Sequence, residues 1–336
     1  MELDPDASGH GPEPLIAVSG LKKAFEDVVA VDGISFSVER GEIYGFLGPN
    51  GAGKTTTINI LTGLSRPDSG AISVAGLDCS GNPKAAQHMI GVVPDESNLY
   101  PELSGFDNLC FCASLYGMRR RERQERAEEL LRAFGLEQAA GRRFAGYSRG
   151  MKRKLTIAAG IIHRPPILFL DEPTTGIDVA SARQIRQLIA DLNSTGTTVF
   201  LTTHYIEEAE RLCRRIAFIV RGRIARVDTV ENLMRDTEGR HVVRFSFRGD
   251  AGRVCERIEA ALPGLRCSRV PDGVRVESAD PVRVGPVVRL LEDDGLEVTE
   301  ARKIYPSLEE VFVSITGIEA GLMKQEKERN RGGGGS

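Results

Sequence analysis

The segment Gly48-Pro49-Asn50-Gly51-Ala52-Gly53-Lys54-Thr55 constrains this chain more than any other. It satisfies G-x-x-x-x-G-K-[ST] in full, and the apolar run Glu42-Ile43-Tyr44-Gly45-Phe46-Leu47 leads straight into it. Beyond it, Ile58, Leu61 and Leu64 fall at helical spacing, which predicts a helix over Thr55–Leu64. Glycines between a buried strand and a helix let the backbone curl until successive N–H groups point inward at phosphate oxygens. The helix adds the partial positive charge of its N-terminus. Lys54 then neutralises the outer phosphates and the Thr55 hydroxyl ligates Mg²⁺; Thr56, next in the chain, is a further candidate ATP-binding residue. The expected ligand is a nucleoside triphosphate with Mg²⁺. ATP is favoured over GTP, because the chain has no guanine-reading N-K-x-D run.

Two later strand ends carry chemistry of the matching kind. Ile167-Leu168-Phe169-Leu170 is apolar and ends in Asp171-Glu172. A strand that ends so places carboxylates at the carboxyl edge of a parallel sheet, beside the phosphate loop. Asp171 is the candidate metal ligand, and Glu172 the candidate to orient and polarise an attacking water. Val199-Phe200-Leu201 leads into Thr202-Thr203-His204, where the histidine can reach and sense a γ-phosphate.

Strand-like runs also occur at Leu15–Val18, Ile34–Val38 and Ile72–Val74, and amphipathic helices at Phe106–Tyr116, Arg119–Phe134 and Ser181–Asn193. Ile216–Val220 and Arg223–Val227 read as a hairpin turning at Gly222. Strand-helix-strand alternation implies a parallel sheet with helices on its faces. The arginine run Arg119-Arg120-Arg121 is interleaved with Glu122, Glu125, Glu128 and Glu129, which favours a solvated helix face over nucleic-acid binding.

After about Met234 the pattern changes to β-α-β-β-α-β: strands at Val242–Phe247, Leu265–Val270, Val274–Glu277 and Leu296–Ile304, helices at Gly252–Leu262 and Pro281–Glu292. That order predicts an α+β ferredoxin-like domain. Ser307–Thr316 adds a closing helix whose start, with Ser307 and Glu310, fits a capping box. The expected division is a tail over 1–14, a nucleotide-binding unit over 15–234, an accessory domain over 235–318 and a tail over 319–336. The last five residues, GGGGS, have the sequence of an engineered flexible linker.

Composition bounds the rest. The chain has 336 residues, 41% hydrophobic and 27% charged, which suits a globular protein of about two domains. A net charge of −3 supplies no field that would draw nucleic acid, so no nucleic-acid partner is expected. No apolar run approaches the ~20 residues of a membrane-spanning helix, and a cytoplasmic location follows as the expectation. The six cysteines form no C-x-x-C pair, and free buried thiols are expected.

Taken in order, the phosphate loop, Tyr147-Ser148-Arg149-Gly150-Met151, Leu170-Asp171-Glu172-Pro173, Thr175-Gly176-Ile177-Asp178 and His204 resemble the nucleotide-binding subunits of ATP-binding cassette (ABC) transporters. The match covers roughly Leu15 to Val227. The ending Pro306-Ser307-Leu308-Glu309-Glu310-Val311-Phe312 is similar to that of subunits serving ABC-2 type drug, sodium or polyketide exporters. The resemblance implies a P-loop NTPase fold: a RecA-like α/β core, an antiparallel β subdomain, and a helical subdomain over about 97–162. It implies that Phe25 stacks on adenine. It implies that Ser148, Arg149, Gly150 and Met151 form the signature that caps ATP held by a second copy, with Asp178 in the loop that crosses the dimer interface. An integral membrane permease is the other implied partner, with its contact near Ser97–Ser104. Leu99, Tyr100 and Leu103 there suit docking or a local core equally. Arg149, Lys152, Arg153 and Lys154 suit a polyphosphate or a solvated helix face equally.

Two departures from the family stand out. Its signature usually reads LSGGQ, against Tyr147-Ser148-Arg149-Gly150-Met151 here, and serine and the second glycine survive. After Ile90-Gly91-Val92-Val93-Pro94 the family usually has glutamine, where this chain has Asp95. A carboxylate there can bind Mg²⁺ or accept from water but cannot donate. The implied function is ATP hydrolysis that powers export. The alternatives are a soluble ABC ATPase acting on ribosomes or DNA, and a regulatory module with little turnover.

Overall fold

The computed structural model describes residues 13–82, 84–235, 241–249, 253–304 and 307–318. The chain parts between Asp228 and Thr229 into two units. The expected tails over 1–14 and 319–336 fall, but for Glu13 and Pro14, outside the described residues.

In the first unit β1 (Ile16–Phe25) and β2 (Val28–Val38) form an antiparallel hairpin in which Ile16 faces Val38 and Phe25 faces Val28. Glu26, at φ 50°, makes the tight turn between them. Both strands are longer than the predicted runs. Their outer halves carry Lys22, Phe25, Val28 and Val29 toward solvent and so lack the alternation that marks a buried face. β3 (Ile43–Leu47) is buried throughout and opens through the glycine loop into α1 (Lys54–Leu61). The helix ends earlier than predicted because Gly63, at φ 75°, turns the chain, leaving Leu64 exposed. β4 (Ser69–Val74) and β5 (Leu77–Asp78) complete an antiparallel sheet ordered β2-β1-β4-β5.

β6 (Ile90–Val93) leads to three helices, α2 (Gly105–Leu115), α3 (Arg120–Ala133) and α4 (Arg149–Gly160). On α3, Ala127, Leu130 and Leu131 are buried, while Arg121 pairs with Glu125 on the solvent face. The chain then alternates through β7 (Ile167–Asp171), α5 (Val179–Ser194), β8 (Thr198–Thr203), α6 (Ile206–Leu212), β9 (Arg215–Val220) and β10 (Arg223–Thr229). These build a six-stranded sheet ordered β10-β9-β3-β8-β7-β6. Strands β9, β3, β8, β7 and β6 pair in parallel.

The register of this sheet positions the site. Leu47 pairs with Thr203, Asp171 with Thr202, and Val93 with Leu170. Four consecutive strands therefore end at one level, and the loops they release emerge side by side at the carboxyl edge. Burial holds them there: Phe46, Phe169 and Phe200 have no solvent exposure, and the Phe46 and Phe169 rings each pack on Phe200. Truncating any one to Ala would cost about 3–5 kcal/mol. Two glycines bring α4 onto β6, since a Cβ at Gly91 would lie 2.2 Å from the Gly160 carbonyl oxygen and one at Gly160 2.8 Å from Val93.

The second unit contains α7 (Val230–Arg235), β11 (His241–Arg248), α8 (Val254–Ala261), β12 (Arg266–Val270), β13 (Gly273–Ser278), α9 (Val284–Asp293), β14 (Glu297–Ile304) and α10 (Leu308–Thr316). It begins at Thr229, earlier than the expected 235, because α7 packs on α10 of the same unit. The sheet is antiparallel in the order β12-β13-β11-β14, with a core of Val243, Phe245, Ile258, Val276, Val287 and Leu291. Only half of the expected capping box forms on α10. The Ser307 hydroxyl accepts from the Glu310 N–H at 3.3 Å, while the Glu310 carboxylate accepts from Arg275 instead.

The cysteines also depart from expectation. Cys255 and Cys267 are joined in a disulfide, because α8 packs on β12 and brings their Cα atoms to 5.0 Å. Of the others, Cys79 and Cys213 are buried thiols, whereas Cys110 and Cys112 are half-buried. No helix among the described residues is long and apolar enough to cross a membrane.

Candidate nucleotide-binding site

The glycine loop leaves β3 at Leu47 and curls over the edge of the sheet. Gly51 and Gly53 hold φ of 74° and 101°, the left-handed region that side chains resist. A Cβ at Gly48 would lie 2.2 Å from the Ile219 carbonyl oxygen, and one at Gly53 2.3 Å from that of Ala30. Those two glycines set how tightly the cradle closes. Pro49 and Asn50 are half-buried at its rim, Ala52 is buried beneath it, and Thr56 is half-buried on the first turn of α1. Lys54 is 6% exposed, with Nζ 2.8 Å from the Gly48 carbonyl oxygen, 3.0 Å from that of Pro49 and 3.3 Å from Glu172 Oε1.

The aligned strand ends bring the predicted acids to this loop. The Thr55 hydroxyl donates to Asp171 Oδ2 at 2.9 Å, and the Thr202 hydroxyl donates to Asp171 Oδ1. Burial raises the Asp171 pKa. The bonds from Thr202 and Thr55 pull it back, and the charges of Glu172 and Asp95 push it up again. Thr55 and Asp171 thus present two hard oxygens to one point, and they fit Mg²⁺. Mg²⁺ bound to a nucleotide takes water and phosphate oxygens as its other ligands.

Glu172 is 7% exposed and holds a positive φ of 51°, fixed by its N–H donating to the Thr202 carbonyl at 3.1 Å. Its Oε2 accepts from Thr175 at 2.8 Å and lies 2.5 Å from His204 Nδ1. Burial alone would raise the carboxyl pKa, but the His204 bond, the Lys54 charge and the Thr175 hydroxyl outweigh it and bring it down to about 2. An ionised carboxylate only accepts, so Nδ1 of His204 carries the proton of this bond. The predicted water-orienting acid and the predicted sensor histidine are therefore in direct contact, 3% of the histidine being exposed.

Asp95 is exposed just past the end of β6, close enough for its charge to act on Asp171. The signature residues lie at the start of α4. Ser148 is the N-cap, its Oγ accepting from the Met151 N–H at 3.3 Å, and Ser148 and Arg149 are exposed. Met151 is half-buried. Gly150 is buried where a Cβ would strike Ser181 Oγ at 2.5 Å, which brings α4 against the start of α5. There Asp178 caps α5, accepting from the Ser181 N–H at 2.9 Å. Phe25, at the end of β1, is 50% exposed, with Lys23 Nζ 5.2 Å from its ring centre. Its register partner Val28 lies two residues from Ala30, which lines the glycine loop.

Some residues do otherwise than expected. Arg153 neither faces solvent nor offers itself to a polyphosphate: it is buried, and its guanidinium donates to the carbonyls of Pro94, Asp95, Asp171 and Pro173. Leu99 is buried and belongs to the local core, Leu103 is half-buried, and Tyr100 is exposed with its ring edge-on to Phe111 at 5.1 Å. Thr202, Thr175 and Glu208 were not singled out by their residue types. Thr202 shows only as a hydroxyl preceding His204 by two, the spacing that puts both on the same strand end. Glu208 is buried, accepts from Thr174 at 2.8 Å, and has its pKa raised by burial.

The chain matches the family model described as ABC transporter over residues 31–175. It is 36% identical over 308 residues to the linearmycin resistance ATP-binding protein of Bacillus subtilis, covering 90% of this chain and 98% of that one. It is 38% identical over 312 residues to the daunorubicin/doxorubicin resistance ATP-binding protein of Streptomyces peucetius, covering 92% and 94%. It is 35% identical over 324 residues to a Nod factor export ATP-binding protein of Ralstonia nicotianae, covering 94% and 98%. Among solved structures, an ATP-binding subunit of an ABC transporter is similar at TM-score 0.60 and 31% identity, covering 66% of this chain and 92% of that one. A dimeric ATP-binding cassette in a post-hydrolysis state, bound to ADP and Pi, is similar at TM-score 0.59 and 27% identity, covering 64% and 98%. The alignments to the resistance and export proteins span nine tenths of the chain, so the likeness continues well past the residues of the family model.

Proposed function

The chain belongs to the ATP-binding subunits of ABC transporters, and from that premise we propose that two copies close on ATP and that its hydrolysis drives export through a separate membrane-embedded permease. It is an ATP-binding and ATP-hydrolysing subunit. The direction of transport follows the relatives, which are named for drug resistance and Nod factor export. The soluble ribosome- or DNA-acting alternative has no counterpart among these relatives.

One observation carries the reading: the strand ends bearing Gly48–Thr55, His204, Asp171–Glu172 and Asp95 are consecutive and level in one parallel sheet. The cradle binds the triphosphate, with Lys54 on its outer phosphates and Phe25 against the base. Thr55 and Asp171 would hold Mg²⁺, with Asp95 near it, and the ion supplies charge neutralisation on the phosphates. Glu172 orients the water that attacks the γ-phosphate, and His204 holds the Glu172 carboxylate through Oε2. Exposed Ser148, with buried Gly150 on the same turn and exposed Asp178 nearby, meets the nucleotide of the second copy. The second copy is thus a partner at the site itself, and the permease is the other partner, docking on exposed Tyr100 and Phe111. We place the chain on the inner face of the cell membrane, held there by the permease.

Phosphate release by the purified chain, with Glu172→Gln as control, tests the enzymatic part. Size-exclusion chromatography of Glu172→Gln with and without MgATP tests the shared site. Release no faster than that of the control would leave a nucleotide sensor, and an ATP-independent monomer would remove the shared site.

A further inference from the structure

We propose that Arg153 is a positioning residue that ties the signature helix to the metal- and water-binding groups of its own cassette. Engagement of Ser148 with the nucleotide of a second copy is thereby passed to Asp95, Asp171 and Glu172. The inference rests on the shared-ATP reading above.

Arg153 lies on α4, little more than one turn past the Ser148 cap, and is 6% exposed. Its Nε donates to the Pro173 carbonyl at 2.9 Å and its Nη2 to the Asp171 carbonyl at 2.6 Å. Its Nη1 donates to the Pro94 carbonyl and, at 3.2 Å, to that of Asp95. Four main-chain acceptors from the ends of two strands, β6 and β7, are thus gripped by one planar group. A guanidinium presents its donors in a fixed fork, so none of these loops can shift without the helix or without breaking a bond. The next acid after the gripped Asp171 carbonyl is Glu172 itself.

Burying a cation is costly, and here the charges of Asp95, Asp171, Glu208 and Glu172 oppose that cost. An apolar residue would avoid it but would leave four carbonyls without this donor. Two further contacts make α4 and β6 move together: the backbone approach at Gly91 and Gly160, and a bond between the Ser97 and Thr156 hydroxyls at 2.8 Å. Ser97 follows Asp95 by two residues, and Thr156 follows Arg153 by three, so the second bond repeats the first link one helical turn further on.

The test uses the full chain as wild type, Arg153→Lys, Arg153→Met and Thr156→Val. Melting temperature, MgATP affinity and steady-state ATPase are measured for each. Lysine keeps a charge but not the fork. Arg153→Met is expected to lose about 10²-fold in kcat, as misplacement of a reacting group by about 1 Å does, and Arg153→Lys to recover part of it. KM should stay within about threefold, the pattern of a contact that matters in the transition state alone. Thr156→Val should lose severalfold in kcat at unchanged melting temperature. ATP-driven dimerisation, followed with Glu172→Gln added, should persist in Arg153→Lys. The proposal is overturned if Arg153→Lys turns over like wild type, if kcat falls only in step with MgATP affinity, or if dimerisation is lost, which would place the defect in the signature. Should Arg153→Met not fold, the other two variants decide. If wild type neither hydrolyses ATP nor dimerises as Glu172→Gln, the shared-ATP reading fails and this inference with it. If wild type does both and Arg153→Lys matches it, only this inference fails.

Discussion

Glu172→Gln probes the electrostatics and the chemistry of the site together. The Glu172 carboxyl is brought from its ordinary 4.5 down to about 2 by His204, Lys54 and Thr175, against the upward push of burial. At about 1.4 kcal/mol per pKa unit, the ionised form contributes about 3 kcal/mol to folding at neutral pH. Glutamine keeps the length and a carbonyl oxygen for Thr175 or His204, but removes the charge 3.3 Å from Lys54 Nζ. With part of the hydrogen bonding retained, the expected net loss is about 1–3 kcal/mol. Because the folded pKa is depressed, the contribution is full above the unfolded value of 4.5 and is lost as pH falls toward 2. The stability gap between wild type and Glu172→Gln should therefore be flat from neutral pH down to about pH 5.5 and narrow below about pH 4.5. Thermal unfolding of both proteins across that range, following the transition of the first unit, measures it. Phosphate release should fall about 10²–10⁴-fold in the same variant. A gap that does not change on acidification, or a variant more stable than wild type at neutral pH, would falsify the account of Glu172 as a carboxylate held ionised by its neighbours.

Four further changes separate the parts of the site. Gly53→Ala places a Cβ 2.3 Å from the Ala30 carbonyl oxygen at a φ of 101°, a backbone cost of about 1–2 kcal/mol before the clash. MgATP affinity, by equilibrium binding, should fall at least tenfold, and unchanged affinity would mean that the cradle is not closed by Gly53. Phe25→Ala, at a half-exposed position, should raise KM for ATP about three- to tenfold at unchanged melting temperature; a drop in stability with KM intact would make Phe25 structural. Asp95→Gln removes a charge that pushes the Asp171 pKa up, so the acid limb of the ATPase pH profile should move to lower pH. An unmoved profile with unchanged MgATP affinity rejects a metal-side role for Asp95. Tyr100→Ser should uncouple transport in the assembled exporter while sparing basal ATPase, and unimpaired transport would remove Tyr100 from the docking surface.

The legibility of this molecule in its sequence followed the kind of force involved. Strands β3, β7 and β8 are buried on both faces, and their unbroken apolar runs mark them. The loop and acids that follow them carry spacing rules set by backbone curvature and phosphate geometry. The outer arms of the β1–β2 hairpin show no such run, because hydrogen bonding to a neighbour rather than burial extends them. Arg153 was ambiguous for a related reason: a basic residue beside a signature can face solvent or fold inward. What decides it is the convergence of carbonyls from β6 and β7, far apart in sequence. The Cys255–Cys267 disulfide likewise depends on α8 packing on β12, a tertiary contact that cysteine spacing does not encode.

The low pKa of Glu172 sharpens what that residue does. A carboxylate near 2 is a weak base, and a group that must fully abstract a proton would be poorly served by it. Phosphoryl transfer makes little such demand, because its loose transition state rewards positioning and charge placement over proton removal. Lys54 sets how far this holds. Its ammonium lies between the loop carbonyls and Glu172, and a triphosphate in the cradle draws that charge toward its own oxygens. Glu172 then loses part of one of the influences that depress its pKa, while the charge of a Mg²⁺ held beside Asp171 would act in the opposite direction and the His204 Nδ1–H keeps the carboxylate aimed. The charge environment of Glu172 is thereby tied to occupation of the loop that opens at Gly48, and its hold by His204 and Thr175 is the part that needs no nucleotide.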